Sequence, residues 1–198
     1  MGRSAYRSHH DSTSDRYARQ LPMPPVIPGH WQPARFAVMG DNGAMRCFLP
    51  LRVVDLGDDA PAAFCAGSPA FGDTPDLAAA LPECDGEERA YSALLSAGDY
   101  AALAASAAYP RRVVLAVDAP VTAEDDPALP ALCRLDTAVK WSDVAAIFLD
   151  EAAAGPAVMA ARTSDSALAQ LEAWDLLWYH PDERALLIAE FNLGERRS

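Results

Sequence analysis

The run Arg111-Arg112-Val113-Val114-Leu115-Ala116-Val117-Asp118 constrains the fold of this chain more than any other segment. Its apolar stretch is continuous and rich in β-branched residues, the pattern of a strand whose two sheet faces are both covered. The run therefore predicts a central strand, and the rest of the chain must supply neighbours and covering layers for it.

Those neighbours are readable nearby. Met45-Arg46-Cys47-Phe48-Leu49-Pro50 reads as an opening strand, and Ala62-Ala63-Phe64-Cys65-Ala66 as a second, weaker one before Gly67-Ser68-Pro69. Thr74-Pro75 offers a helix start, with threonine as cap and proline at the first helical position. Glu87 to Ala97 places Ala90, Tyr91, Leu94 and Leu95 on one face. Gly98 is a suitable stop and Asp99 a cap for a second helix running to Pro110, so a helical hairpin is expected. Residues 119–130 hold three prolines and three consecutive acids, which reads as a solvated connection.

After that connection, Leu132 to Val139 and Ala146 to Leu149 read as strands, the latter entered through a capped turn at Trp141-Ser142-Asp143. Gly155-Pro156 starts a short helix, and Asp165 or Ser166 caps another reaching about Trp174. Leu176 to Tyr179 reads as a strand. Ala185 to Ala189 is read as its hairpin partner, with a final helix beginning at Pro181 as the alternative. The expected fold is α/β or α+β, a single domain with a mixed sheet of about four to six strands covered by helices.

Composition bounds the function. The chain has 198 residues and a net charge of −12. Residues 1–44 carry five arginines against three aspartates, so the remaining body holds −14. A body so acidic repels a phosphate backbone, which argues against nucleic-acid binding through it. Its apolar runs fall far short of the roughly 20 residues that cross a membrane. The first ten residues lack a signal-type apolar stretch, and the expected location is cytoplasmic. Cys47, Cys65, Cys84 and Cys133 are spaced too widely for zinc-ligand pairs and read as reduced, mostly buried thiols. No metal or cofactor is expected.

Residues 1–44 form a leader of different character, basic and rich in Ser and Pro, expected to be irregular. Three readings stand open for it: an over-long start with Met39 or Met45 as the true one, an irregular tail, or a docking motif. The acidic globular domain is expected over residues 45–198.

The segments MRCFLPL, ERAYSALLSAGDYAALAASAA, RRVVLAVDAP, VAAIFLDE and LLWYHPDE together resemble an uncharacterised family of alanine-rich cytoplasmic proteins from high-GC Gram-positive bacteria, a domain of unknown function. The resemblance covers about residues 45 to 183. It implies an architecture and no site, and it implies that residues 1–44 lie outside the shared domain.

No G-x-S-x-G, G-x-x-x-x-G-K-[ST], G-x-G-x-x-G or H-E-x-x-H occurs, which removes the common hydrolase, phosphate-loop, dinucleotide and zincin motifs. The candidate catalytic residues are Asp118 and Asp150, each ending a strong strand, and His180, the single histidine of the body. Structural roles in turns are the plainer alternative for all three. Trp174, Trp178 and Tyr179 concentrate aromatic area in six residues and are the candidate binding anchors. The leading expectation is a non-enzymatic interaction or regulatory module with a protein partner or self-association. The alternative is a small enzyme acting on a polar metabolite through the two carboxylates and His180.

Overall fold

The computed structural model describes residues 44–193. Residues 1–43 and the last five residues lie outside the described residues, and so does the expectation that residues 1–43 are irregular. The strands are β1 (Met45–Leu51), β2 (Pro69–Gly72), β3 (Val113–Ala119), β4 (Val121–Ala123), β5 (Leu132–Leu135), β6 (Val144–Asp150) and β7 (Leu176–Tyr179). The helices are α1 (Pro75–Ala80), α2 (Gly86–Ala104), α3 (Gly155–Ala161), α4 (Asp165–Leu168) and α5 (Arg184–Glu190), with short 3-10 turns between them.

The strands form one sheet in the order β4-β5-β2-β1-β3-β6-β7. Every pair is antiparallel. Two expectations are thereby corrected: the sheet has seven strands rather than four to six, and it is antiparallel throughout rather than mixed. The continuous apolar run of β3 misled on direction because it reports covered faces, and an antiparallel strand covered on both sides carries the same run.

The covering is visible in how β3 divides its side chains. Val113, Leu115 and Val117 face a core shared with Leu49, Leu51, Ile147 and Leu149, closed by Val53, Leu56 and Phe64 from two 3-10 turns and by Leu187 of α5. Val114 and Ala116 face the opposite core with Phe48, Phe71 and Phe148, closed by Leu77 of α1 and by Ala90, Ala93, Leu94, Ala97 and Ala101 of α2. The alanines leave room for α2 to lie close on the sheet. Phe48 and Phe148 meet edge to face at 6.3 Å beneath it.

The expected helical hairpin is a single helix. Asp85 caps α2 by accepting from the Glu87 and Glu88 amides, and Glu88 returns a bond from the Asp85 amide. The helix then runs through Gly98 and Asp99 without a break. A Cβ at Gly98 would stand 3.4 Å from Leu176 Cδ1 and 3.7 Å from Arg112 Nη1, ordinary contact distances that leave room for a side chain. Burial of the α2 face against the sheet outweighs the roughly 1 kcal/mol that a mid-helix glycine costs.

Three further readings change. Residues Ala62–Phe64 are a 3-10 turn that drops Phe64 into the core, and the strand begins only at Pro69. The connection 119–130 contains the short edge strand β4. The C-terminal segment takes the helical alternative: Pro181–Glu183 form a 3-10 turn and Arg184–Glu190 a helix. Tertiary cover decides this last case, since Leu187 and its neighbours Ile188 and Phe191 pack onto the core on one helical stripe.

Candidate functional site

The antiparallel topology determines where the sequence-predicted residues go. Arg112 precedes the Val113–Leu149 pair, which sets it opposite Asp150 at one end of the sheet. Asp118 pairs with Arg46 near the other end of β3. Six residues at about 3.3 Å each separate the two rows, roughly 20 Å. His180 follows Tyr179, which pairs with Ile147, so it lies beyond the edge strand and about four residues, roughly 13 Å, along the sheet from the Asp150 row. The three candidate catalytic residues share no cleft.

Each has a local role instead. Asp118 is exposed and accepts from Arg46 Nε at 2.6 Å and Nη2 at 2.8 Å across the β1–β3 pair. Asp150 is fully buried and accepts from Arg112 Nε, Nη2 and backbone N–H, while Arg112 Nη2 also donates to the Trp174 carbonyl. This pair ties the ends of β3 and β6 to the turn before β7. His180 is the cap of the Pro181–Glu183 turn, accepting from the Asp182 amide through Nδ1 at 3.3 Å.

The aromatic candidates also separate. Trp174 is half-buried and packs with Leu171 and Val158 between α3 and the following turn. Tyr179 packs against the core closed by α5. Trp178, opposite Phe148 in register, is 43% exposed on β7, with its ring 6.3 Å from that of His180. On the opposite face of β7, Leu177 is 43% exposed, and Leu186 of α5 is 68% exposed.

A different concave site lies between α2, α1, the loop 128–131 and the turn Ala169–Ala173, a cavity of about 90 Å³. Thr74, the cap of α1, donates from its hydroxyl to the Pro130 carbonyl and so joins two of its walls. Ser92, Ser96 and Asp99 recur at i, i+4 and i+7 along α2, which puts them on one helical stripe, and all three line the cavity. Ser96 Oγ donates to the Ser92 carbonyl, whereas the buried Ser92 Oγ has no hydrogen-bond partner. Arg112 and Glu172 complete the polar side, and Leu77, Leu95 and Leu129 line the rest.

Burial pushes the Asp99 carboxyl up to about 7, against the pull of the Arg112 guanidinium and with a further push from Glu172. A sequence reading that makes Asp99 the cap of a second helix hides this stripe. The polar i, i+4, i+7 spacing within an alanine-rich apolar helix is the signal that could have found it.

The cysteines offer no reactive group near this site. Burial raises the Cys47 thiol and pushes Cys133 up to about 12, where the nucleophilic thiolate is scarce. Among the described residues no group of three His, Cys, Asp or Glu is placed to hold a metal ion. No helix among them is long and apolar enough to cross a membrane.

A family model described as "Family of unknown function (DUF6912)" matches residues 45–188, so the chain belongs to that family. No curated protein and no solved structure matches the chain.

Proposed function

We propose that this domain is a non-enzymatic protein-interaction module of the cytoplasm that docks a partner on the β7–α5 end of its sheet. The observation that carries this reading is that Leu177, Trp178 and Leu186 are three of the four large apolar side chains most exposed among the described residues. Leu177 and Leu186 belong to the face of the sheet that α5 covers and Trp178 to the other, so the three border the β7 edge from both sides, and exposed apolar residues with an aromatic member are what partner surfaces are built from. Tyr179 and Trp174 support this end from within.

The partner is another protein with a basic rim rather than a second copy of this chain. The body's charge of −14 opposes self-association, and Asp175 and Asp182 stand on either side of β7 in the chain. Asp118, Asp150 and His180 lie apart, and no observation favours a reaction through them.

Affinity capture from the native cytoplasm tests the reading, with wild type beside Trp178→Ala and Leu186→Asp. A basic protein retained by wild type, released at high salt and lost with both variants is the expected result. Equal capture by wild type and variants would sink the proposal, and a concentration-dependent dimer abolished by Leu186→Asp would replace the partner with a second copy.

A further inference from the structure

The cavity beside α2 holds a combination that the docking surface does not use. Ser92 lines the cavity and is 5% exposed, and its buried hydroxyl has no hydrogen-bond partner. A buried hydroxyl without a partner is destabilising, and a ligand atom in the cavity would supply that partner. Asp99 accepts no hydrogen bond and joins no ion pair among the described residues, although its neighbours Arg112 and Glu172 act on it electrostatically.

The charge balance selects the ligand. Arg112 is neutralised by its bidentate pair with Asp150. Asp99 and Glu172 then leave the cavity with excess negative charge. Opposite this polar stripe the wall is apolar, formed by Leu77, Leu95 and Leu129. A volume of about 90 Å³ is far below the roughly 300–1,000 Å³ of sites for drug-sized molecules and admits a ligand of a few heavy atoms.

We propose that this cavity binds a small organic ammonium ion, its N–H groups donated to Asp99, Glu172 and the Ser92 hydroxyl and its short alkyl part laid against Leu77, Leu95 and Leu129. The inference is independent of the docking surface. Occupation requires Asp99 to ionise. The charged groups facing Asp99 are Arg112, the residue before β3, and Glu172 from the turn after α4, while α1 and the loop 128–131 line the cavity with uncharged residues only. An ammonium binds poorly while Asp99 is protonated, so binding strengthens as pH rises through about 7.

The test is ligand titration of the full chain with n-propylammonium chloride, followed by melting temperature and by calorimetry, against sodium propionate, n-propanol and sodium chloride at equal concentration. The expected result is a saturable stabilisation by the ammonium alone, with apparent affinity about tenfold weaker at pH 6 than at pH 8, the ratio of ionised Asp99 for a group titrating near 7. Asp99→Asn is expected to weaken binding at least tenfold, and Ser92→Ala several-fold, in proteins whose circular dichroism matches wild type. Stabilisation by propionate equal to that by the ammonium, an unchanged response in Asp99→Asn, or no response to any of the four solutes would overturn the proposal. Glu172→Gln, at the exposed rim, provides a variant that leaves the buried wall intact, and an unchanged affinity there would remove Glu172 from the site and contradict the proposed contact set.

Discussion

Arg112 and Asp150 are an ion pair withdrawn from solvent, with side chains 1% and 0% exposed. The mutual attraction of such a pair offsets a large desolvation cost, so removing one partner leaves the other charged and buried, a loss of about 3–5 kcal/mol. Asp150→Ala is expected to lower the urea midpoint by an amount of that order. Asp118→Asn breaks a pair whose carboxylate is 52% exposed, and such pairs contribute roughly 0–1 kcal/mol. Parallel urea titrations check the contrast, and similar losses at both positions would contradict this account. Asp99 makes a pH prediction. Its folded value is raised above the ordinary 3.8, so the folded state binds the proton more tightly, and stability contributed by this group is present at low pH and lost as pH rises from about 4 to 7. Asp99→Asn lacks that loss. The variant is expected to be more stable than wild type at pH 8, on the order of 2 kcal/mol after allowing for solvent access, and the gap should close by pH 4. Chemical denaturation at the two pH values measures it.

At the scale of elements, α2 is where local signals and tertiary structure compete. A helix that ended at Gly98 would need glycine's backbone freedom there, whereas a continuous helix is stiffened by alanine. Gly98→Ala is therefore expected to be neutral or stabilising by up to about 1 kcal/mol, since the added Cβ meets Leu176 at an ordinary contact distance of 3.4 Å. A melting temperature several degrees lower would argue for a break. In β7 strand alternation sends consecutive aromatics to opposite faces: Trp178 lies opposite Phe148 and Tyr179 opposite Ile147. Tyr179→Ala removes a ring packed on the core and should cost about 2–3 kcal/mol, less than the 3–5 of a fully buried aromatic. Trp178→Ala should cost under half as much, which urea midpoints compare directly.

For the whole molecule, cores drawn from residues between Cys47 and Leu193 close over the two faces of one sheet whose strands run from Met45 to Tyr179. The family match also begins at residue 45. Deleting residues 1–43 is therefore expected to leave the melting temperature within a few degrees, and limited proteolysis should leave a stable fragment beginning near Met45. A large fall in melting temperature on deletion would show that the leader belongs to the folded unit.

Local chemistry determined much of this protein without help. The Val113–Val117 run specified a strand covered on both sides, Thr74-Pro75 the start of α1, Gly155-Pro156 the start of α3 and the Trp141–Asp143 turn the entry to β6. These features depend on caps, on fixed proline geometry and on side-chain periodicity, all of which act within a few residues. Strand direction and order, the continuity of α2 past Gly98 and the helical state of residues 184–190 depend on which distant surfaces cover them, and only the tertiary structure decided them. The same holds for chemistry. Asp118 and Asp150 look alike at two strand ends, yet antiparallel pairing sends them to opposite ends of the sheet, while Asp99, seemingly a helix cap, is carried by the unbroken α2 into a desolvated cavity beside Arg112 and Glu172.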